Sequence, residues 1–125
     1  MRLLLDTHVF LWAVTGSRFL KPKFRRLMEQ ADQVYVSAAS ILEIAVKARL
    51  GKIDADATEL VAAIEASGFA ELPVRGVHAA GVAVLPLLHT DPFDRLLIAQ
   101  ALTEPLKFLT ADAALSQYGD LIVLA

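Results

Sequence analysis

The 125-residue sequence contains no cysteine. This absence excludes a disulfide framework, a zinc site built from thiolates and a cysteine nucleophile. Long apolar stretches are also missing, because the longest uninterrupted one, residues 82–88, is too short to span a bilayer. No basic stretch followed by an apolar leader opens the sequence, so secretion is not indicated and we expect a cytoplasmic protein.

The chain also lacks an excess of positive charge. Its 12 Lys and Arg residues against 14 Asp and Glu give a net charge of −2, which argues against a basic nucleic-acid binder as a whole. Hydrophobic residues make up 56% of the sequence, and this fraction excludes a disordered chain. A chain this apolar is expected to use part of its surface as an interface with a second copy or a partner.

No repeat or linker rich in Pro, Gly or Ser divides the chain, and we therefore predict one domain over residues 1–125. Short apolar runs typical of buried strands occur at 3–5, 34–36, 69–74, 107–109 and 121–124. Helical patterns lie between them, at about 9–13, 21–30, 39–50, 57–66, 77–85 and 92–102. This alternation predicts an α/β fold with a mainly parallel sheet of four to five short strands.

Four carboxylates occupy related places in this pattern. Asp6 follows the first predicted strand, Glu43 lies early in the helix after the second, and Asp112 follows the fourth. Asp94 opens the helix that comes after the break at Pro86. Because parallel strands end at one edge of a sheet, where ligands bind, we expect Asp6, Glu43 and Asp112 to converge there.

Each acid also has a purely structural interpretation. Ser40 and Glu43 match a capping box, and Glu43 with Lys47 matches a surface pair one helical turn apart. Asp91 before Pro92 is a good N-cap, and Asp6 is a possible cap of the first helix. Capping explains the acids one at a time, but it does not require them to converge.

Convergence has a chemical consequence. Carboxylates brought close together repel one another and raise each other's pKa unless a cation neutralises them. Oxygen ligands without Cys or clustered His favour Mg²⁺ or Mn²⁺ over zinc. Such an ion activates water and neutralises phosphate, so the residues alone suggest a metal-dependent phosphodiesterase.

Four motifs resemble those of the PIN-domain family, and most of all its VapC toxin ribonucleases from bacterial toxin–antitoxin systems. They occur in order and at the usual spacing, at residues 4–8 (LLDTH), 37–44 (SAASILEI), 89–101 (HTDPFDRLLIAQA) and 109–112 (LTAD). One departure is Leu42, where many relatives carry an aromatic residue before the helix acid. This difference changes the packing beside the acid and leaves the acid itself in place.

The resemblance implies a PIN-like three-layer α/β/α sandwich and cleavage of RNA that depends on Mg²⁺ or Mn²⁺. It implies in-line attack by a metal-activated water, which leaves 5′-phosphate and 3′-hydroxyl ends. The acidic quartet carried over by position is Asp6, Glu43, Asp94 and Asp112. Asp6 would be the central metal ligand, shared with Asp94 or Asp112. Glu43 would serve as an outer ligand, bind a second ion or orient the attacking water, and the number of ions stays open.

The resemblance also assigns residues around the quartet. Thr7 and Thr110 match positions that contact the acids or the scissile phosphate, and Asp91 is expected close to the same acids or the substrate. Arg95 would steady an acid or meet a phosphate, with an ion pair to Asp91 as the alternative. Among the histidines, His8 and His89 flank motif acids without a partner at metal-ligand spacing, and His78 is expected to be structural.

Positive charge is concentrated in two groups. The first comprises Arg18, Lys21, Lys23, Arg25 and Arg26, and the second comprises Lys47, Arg49 and Lys52. Each group either contacts phosphates or forms a solvated helix face. Trp12 is expected in the core or a partner groove more than as a platform for stacked bases.

The expected partners also come from the resemblance. It implies a VapB-type antitoxin whose C-terminal segment lies across the toxin, a homodimer, and a toxin–antitoxin hetero-oligomer. The RNA substrate it suggests first is transfer RNA, with ribosomal or messenger RNA next.

Other functions remain open from the sequence. A PIN nuclease of RNA processing and a non-catalytic PIN-like binding module would share these motifs. A haloacid-dehalogenase-like phosphatase expects a second acid two residues after the first, where this chain has His8. A receiver domain expects paired acids after the first strand, and Asp6 with Thr7 lacks that pair.

Overall fold

A five-stranded parallel sheet, in the order β3-β2-β1-β4-β5, forms the centre of the computed structural model, which describes residues 1–125. The strands are β1 (Arg2–Leu5), β2 (Gln33–Ser37), β3 (Ala70–Leu72), β4 (Lys107–Thr110) and β5 (Ile122–Leu124). The predicted fold class is therefore confirmed, with five strands. The third strand is shorter than predicted, since it ends before Pro73, which has no N–H to give to a ladder.

Six α-helices connect the strands: α1 (Thr7–Thr15), α2 (Pro22–Gln30), α3 (Ala38–Arg49), α4 (Ala57–Ala66), α5 (Gly76–Gly81) and α6 (Pro92–Thr103). Two 3₁₀ helices cover Val82–Val84 and Ala113–Tyr118. The helix predicted over 77–85 is thus split, because α5 ends at Gly81 and a tighter turn follows. No helix combines the length and apolar character needed to cross a membrane.

Both faces of the sheet are buried, as the continuous apolar runs predicted. Side chains alternate along β1, so Leu3 and Leu5 join one core cluster and Leu4 joins the other. The first cluster packs Phe10 and Phe24 from α1 and α2 against the sheet. The second cluster contains residues of α6 and the strand residue Phe108. The result is a three-layer α/β/α sandwich.

The strand order creates a crevice beside β1. The chain adds β2 and β3 on one side of β1, and then β4 and β5 on the other. The direction of winding therefore reverses between β1 and β4, which is where open α/β sheets bind ligands. The Asp6 amide donates to the Leu109 carbonyl at 2.9 Å, so the two strands stay joined up to this crevice.

Candidate active site

Asp6 lies at the carboxyl end of β1, at the floor of the crevice. It caps α1, and its Oδ1 accepts a hydrogen bond from the Thr7 amide at 2.7 Å. Its Oδ2 accepts from the Thr110 hydroxyl at 2.6 Å. Burial raises the pKa of Asp6, and the bonds from Thr110 and Thr7 counteract part of that rise. Asp6 is thus an acid held in one orientation by two donors.

Glu43 reaches the crevice from α3, but not through the predicted capping box. The helix begins at Ala38, and Ser37 caps it by accepting from the Ala39 amide at 3.0 Å. The capping-box interpretation is therefore wrong, since Ser40 is the third residue of the helix and not its N-cap. Both Ser40 and Glu43 are buried, and both face Thr7.

The Thr7 hydroxyl connects α1 to Glu43. Its Oγ1 lies 2.7 Å from Glu43 Oε1 and 2.9 Å from Ser40 Oγ. A hydroxyl has one hydrogen to donate, so Thr7 donates to the carboxylate and accepts from Ser40. The role of Ser40 was missed in the sequence, because a serine at this distance from a glutamate also fits a cap.

Lys47 pairs with Glu43 as the spacing predicted, at 2.6 Å between Nζ and Oε2. The pair differs from an ordinary surface pair because the Glu43 side chain is only 5% exposed. The hydrogen bond that Lys47 donates to Glu43 raises the pKa of Lys47, and the charges of Asp91 and Asp94 add to the effect. Lys47 therefore lies among the acids, and it is the one member of the second basic group that lines the cleft.

Asp94 enters the crevice from the first turn of α6. Its pKa is raised to about 6, first by burial and then by the negative charge of Asp6. The hydrogen bond with His89, 2.8 Å between Nε2 and Oδ2, acts in the opposite direction. The repulsion between acids that the sequence predicted is thus present between Asp94 and Asp6.

Asp112 stands at the carboxyl end of β4 and is exposed. It caps the 3₁₀ helix by accepting from the Ala114 amide at 3.0 Å. One potential ligand atom each from His89, Asp94 and Asp112 lies within 4.8 Å of the other two. His89 was not predicted to belong to such a group. The sequence did contain a hint, because His89 is the first residue of the third motif.

Asp91 has the capping role that the sequence predicted. Its Oδ1 accepts from the amides of Phe93 and Asp94, at 2.8 and 3.1 Å. It also lines the crevice beside Asp94. The cap fixes the start of α6, and with it the position of Asp94.

Arg95 does not take the position that was predicted for it. Its buried guanidinium donates to backbone carbonyls of the loop before α6, those of Val82, Pro86 and His89 among them. It also donates to the Tyr118 hydroxyl at 3.2 Å. Neither an acid nor Asp91 pairs with it, because the carbonyl oxygens take its donors. Arg95 holds the loop that carries His89.

The four predicted acids line a single cleft of about 340 Å³. Its walls comprise Asp6, His8, Trp12, Glu43, Lys47, Asp91, Asp94, Ala111 and Asp112. A divalent cation fits this donor set, because five carboxylates share one cleft and the pKa of two of them is raised without a cation. Such a cation would be held by oxygen atoms, with one imidazole within reach.

The other predicted basic residues lie outside the cleft walls. Arg25 donates to the Trp12 and Ser17 carbonyls, and Lys23 lies over the Phe24 ring. Trp12 is different, since it lines the cleft and its ring packs 5.7 Å from that of the exposed Phe19.

A second buried network supports the fold behind the site. The Ser37 hydroxyl donates to the Gln100 side chain on α6, which in turn contacts His78. His78 is fully buried and bonds to Glu104. This network joins the end of β2 to α5 and α6, and it gives His78 the structural role expected of it.

The family model described as PIN domain matches residues 3–121. Comparison with curated protein sequences gave no match. Among solved structures, the chain is similar to one in a toxin–antitoxin complex from Klebsiella pneumoniae, with a TM-score of 0.69 and 18% identity over 97% of this chain and 95% of that one. It is also similar to one in the crystal structure of VapBC2 from Rickettsia felis bound to a DNA fragment from their promoter, with a TM-score of 0.70 and 13% identity over 100% and 98% of the two chains. These likenesses support the fold.

Proposed function

Because the chain belongs to the PIN-domain family, we propose that it is an endoribonuclease that depends on Mg²⁺ or Mn²⁺, of the VapC toxin type. The observation that carries the proposal is the convergence of Asp6, Glu43, Asp94 and Asp112 on one cleft at the point where the sheet reverses its winding. PIN domains are generally nucleases, and a cleft of this composition suits the hydrolysis of a phosphodiester.

Asp94 and Asp112 would hold the cation, together with Asp6 at the floor of the cleft. The bound cation would supply the positive charge that activates water and neutralises the phosphate. His89 contributes through its bond to Asp94, whose pKa it lowers, so that more of Asp94 is ionised at neutral pH. The raised pKa of Asp6 and Asp94 is the reason that a cation is stabilising here.

The two threonines would act as positioning residues. Thr110 donates to Asp6 and accepts from the Asp112 amide, so one hydroxyl sets the spacing of two acids on neighbouring strands. Thr7 fixes Asp6 through its amide and Glu43 through its hydroxyl. With one oxygen bonded to Thr7 and the other to Lys47, Glu43 is held at the cleft wall, where it would orient the attacking water.

The proposed substrate is RNA, with transfer RNA as the first to test. Beside the acids the cleft presents His8 and Trp12, whose rings lie 6.4 Å apart. The Trp12 ring offers a flat surface on which an unpaired base can stack. Trp12 was expected in the core or a partner groove, and it packs against the first core cluster while also lining the cleft.

A VapB-type antitoxin is the proposed partner, in a hetero-oligomer built on a toxin homodimer. Support comes from α3, where Leu42 and Val46 are exposed and Leu50 follows one turn later. These side chains are spaced four residues apart, so they form an apolar stripe on one helix face. Leu42 is the residue that departs from the family motif, and it belongs to this stripe rather than to the wall of the acidic cleft.

The experiment that tests the nuclease is RNA cleavage by purified protein with Mn²⁺, Mg²⁺ or EDTA. We expect cleavage with either cation, none with EDTA, and none by the Asp6→Asn/Asp94→Asn double variant. The control is Asp54→Asn, which neutralises an exposed acid outside the cleft. Circular dichroism checks that every variant is folded. Equal cleavage by the wild type and a folded double variant would refute the proposal.

Sequencing RNA 5′ ends after brief expression identifies the target. A small set of sites in transfer RNA, absent with the double variant, is the expected result. Dispersed processing sites without growth arrest would favour a PIN nuclease of RNA metabolism over a toxin. Absence of any new 5′ end, together with no cleavage in vitro, would leave the PIN-like binding module as the explanation.

A further inference from the structure

Lys47 is the one lysine or arginine among the residues that line the acidic cleft. It projects from α3 one turn after Glu43 and is about one-third exposed. A lysine ammonium is protonated at neutral pH, so the cleft contains a permanent positive charge before any metal binds. Besides Lys47 and His8, the ionisable residues that line the cleft are five carboxylates.

The Lys47 ammonium bonds to Glu43, and Glu43 is held through both of its carboxylate oxygens. Its Oε1 accepts from Thr7 at 2.7 Å and its Oε2 lies 2.6 Å from Lys47 Nζ. Both oxygens of this 4% exposed residue are therefore bonded to donors of the protein. A cation that approached Glu43 would have to displace the ammonium, and a charge-assisted bond at this burial is costly to break.

The remaining acids of the cleft are bonded differently. Asp94, Asp112 and His89 place potential ligand atoms within 4.8 Å of each other, and no lysine or arginine pairs with them. Asp6 lines the same cleft as Asp94 and Asp112. Glu43 is thus paired with an ammonium, whereas Asp94 and Asp112 are bonded to no lysine or arginine.

We propose that the Lys47 ammonium occupies the place of a second cation, so that the cleft binds one divalent ion and not two. The ion would lie on the side of Asp94, Asp112 and Asp6, while Lys47 neutralises Glu43 and fixes its orientation. Lys47 is then a positioning residue, distinct from a lysine in a surface pair. This inference rests on the proposed function, since it concerns the ion of that same site.

The test counts Mn²⁺ ions bound to the chelator-treated full chain, by calorimetric titration and by electron paramagnetic resonance of free Mn²⁺. We expect one ion per chain in the wild type and two in Lys47→Met, which keeps the length of the side chain and removes its charge. Lys47→Arg keeps the charge and should bind one. Lys52→Met makes the same replacement at an exposed lysine outside the cleft and should also bind one.

A double variant locates the extra ion. Adding Glu43→Gln to Lys47→Met removes the carboxylate that the ammonium had neutralised, so the count should return to one. If Lys47→Met does not fold, as judged by circular dichroism and thermal unfolding, Lys47→Gln takes its place. A purely structural role for Lys47 would change the unfolding temperature and leave the count at one.

The outcomes separate this inference from the proposed function. Two ions in the wild type, or one ion in folded Lys47→Met, would overturn the inference, and RNA cleavage would still stand or fall on its own assay. No Mn²⁺ binding at all would overturn both. One ion in the wild type, two in Lys47→Met and one in the double variant would support it.

Discussion

The Thr110 hydroxyl donates to Asp6 across the junction of β4 and β1, with 2.6 Å between Oγ1 and Oδ2. The same oxygen accepts from the Asp112 amide at 3.1 Å. A single fully buried side chain therefore connects the two acids that follow neighbouring strands. Its hydrogen bond also opposes the rise in the pKa of Asp6 that burial causes.

Replacing Thr110 by Val removes both bonds while keeping the shape of the side chain. We expect the pKa of Asp6 to rise further, and the affinity for Mn²⁺ to fall by about tenfold or more, as for other residues that support metal ligands. The free energy of unfolding, measured in urea, should fall by roughly 1–3 kcal/mol, because the replacement leaves buried polar groups unpaired. Thr110→Ser restores the hydroxyl and should recover most of the affinity. Wild-type Mn²⁺ affinity in folded Thr110→Val would contradict this role.

The raised pKa of Asp94 predicts how the metal-free protein responds to pH. Its pKa rises from 3.8 to about 6, so the folded state binds this proton more tightly than the unfolded state. The folded protein therefore loses stability as the pH rises from about 4 to about 6, and the loss is complete above that range. Because Asp94 is partly exposed, solvent screening reduces the expected loss of unfolding free energy to about 1–2 kcal/mol.

The measurement is urea unfolding in EDTA between pH 4 and 8, for the wild type and Asp94→Asn. We expect Asp94→Asn to be the more stable protein at pH 7, with the difference vanishing near pH 4. Mn²⁺ at pH 7 should stabilise the wild type and not the variant. The exposed Asp54→Asn serves as the control. If the unfolding free energies of the wild type and Asp94→Asn run parallel over the whole pH range, the surroundings of Asp94 do not raise its pKa.

Arg95 is predicted to act on the loop before α6 rather than on RNA. Its guanidinium satisfies several backbone carbonyls there, so Arg95→Met should cost about 2–4 kcal/mol of unfolding free energy. Amide hydrogen exchange should speed up in residues 85–91, which include His89. Tyr118→Phe removes one hydroxyl partner of Arg95 and should have a smaller effect in the same loop. A folded Arg95→Met with unchanged exchange and weaker, less salt-dependent RNA binding would restore the phosphate-binding hypothesis.

The sequence was sufficient to predict the sheet and the convergence of the acids, for one physical reason. Strands buried on both faces are apolar throughout, and in a parallel sheet a polar residue at the end of one must meet those at the ends of its neighbours. The positions of Asp6 and Asp112 can be predicted directly from that rule. The position of Asp94 can be predicted from the N-cap at Asp91, because a cap depends only on residues that are neighbours in the sequence.

The features that could not be predicted depend on contacts between distant segments. Ser37 and Ser40 are both suitable N-caps, and the choice between them depends on Thr7, more than 30 residues away. In the sequence, the polar neighbours of Arg95 are Asp91 and Asp94, and only the folded loop brings carbonyls and the Tyr118 hydroxyl to its guanidinium. The partner of His89 is likewise determined by that loop, because the spacing of residues in the sequence does not determine the orientation of an imidazole ring.

His89 gives the last prediction, since it is both a hydrogen-bond partner of Asp94 and a member of the group of potential metal ligands. Removing the imidazole in His89→Leu should raise the pKa of Asp94, because the bond from His89 lowers it. Protons then compete with the metal over a wider range, so the midpoint of Mn²⁺ binding should move to higher pH. Titrations of Mn²⁺ between pH 5.5 and 8 measure this shift. The comparison variant is His8→Leu, because His8 lines the same cleft outside the ligand group and acts on the pKa of Asp6 rather than on that of Asp94. An equal effect of the two replacements would mean that the bond between His89 and Asp94 does not control the ionisation of the site.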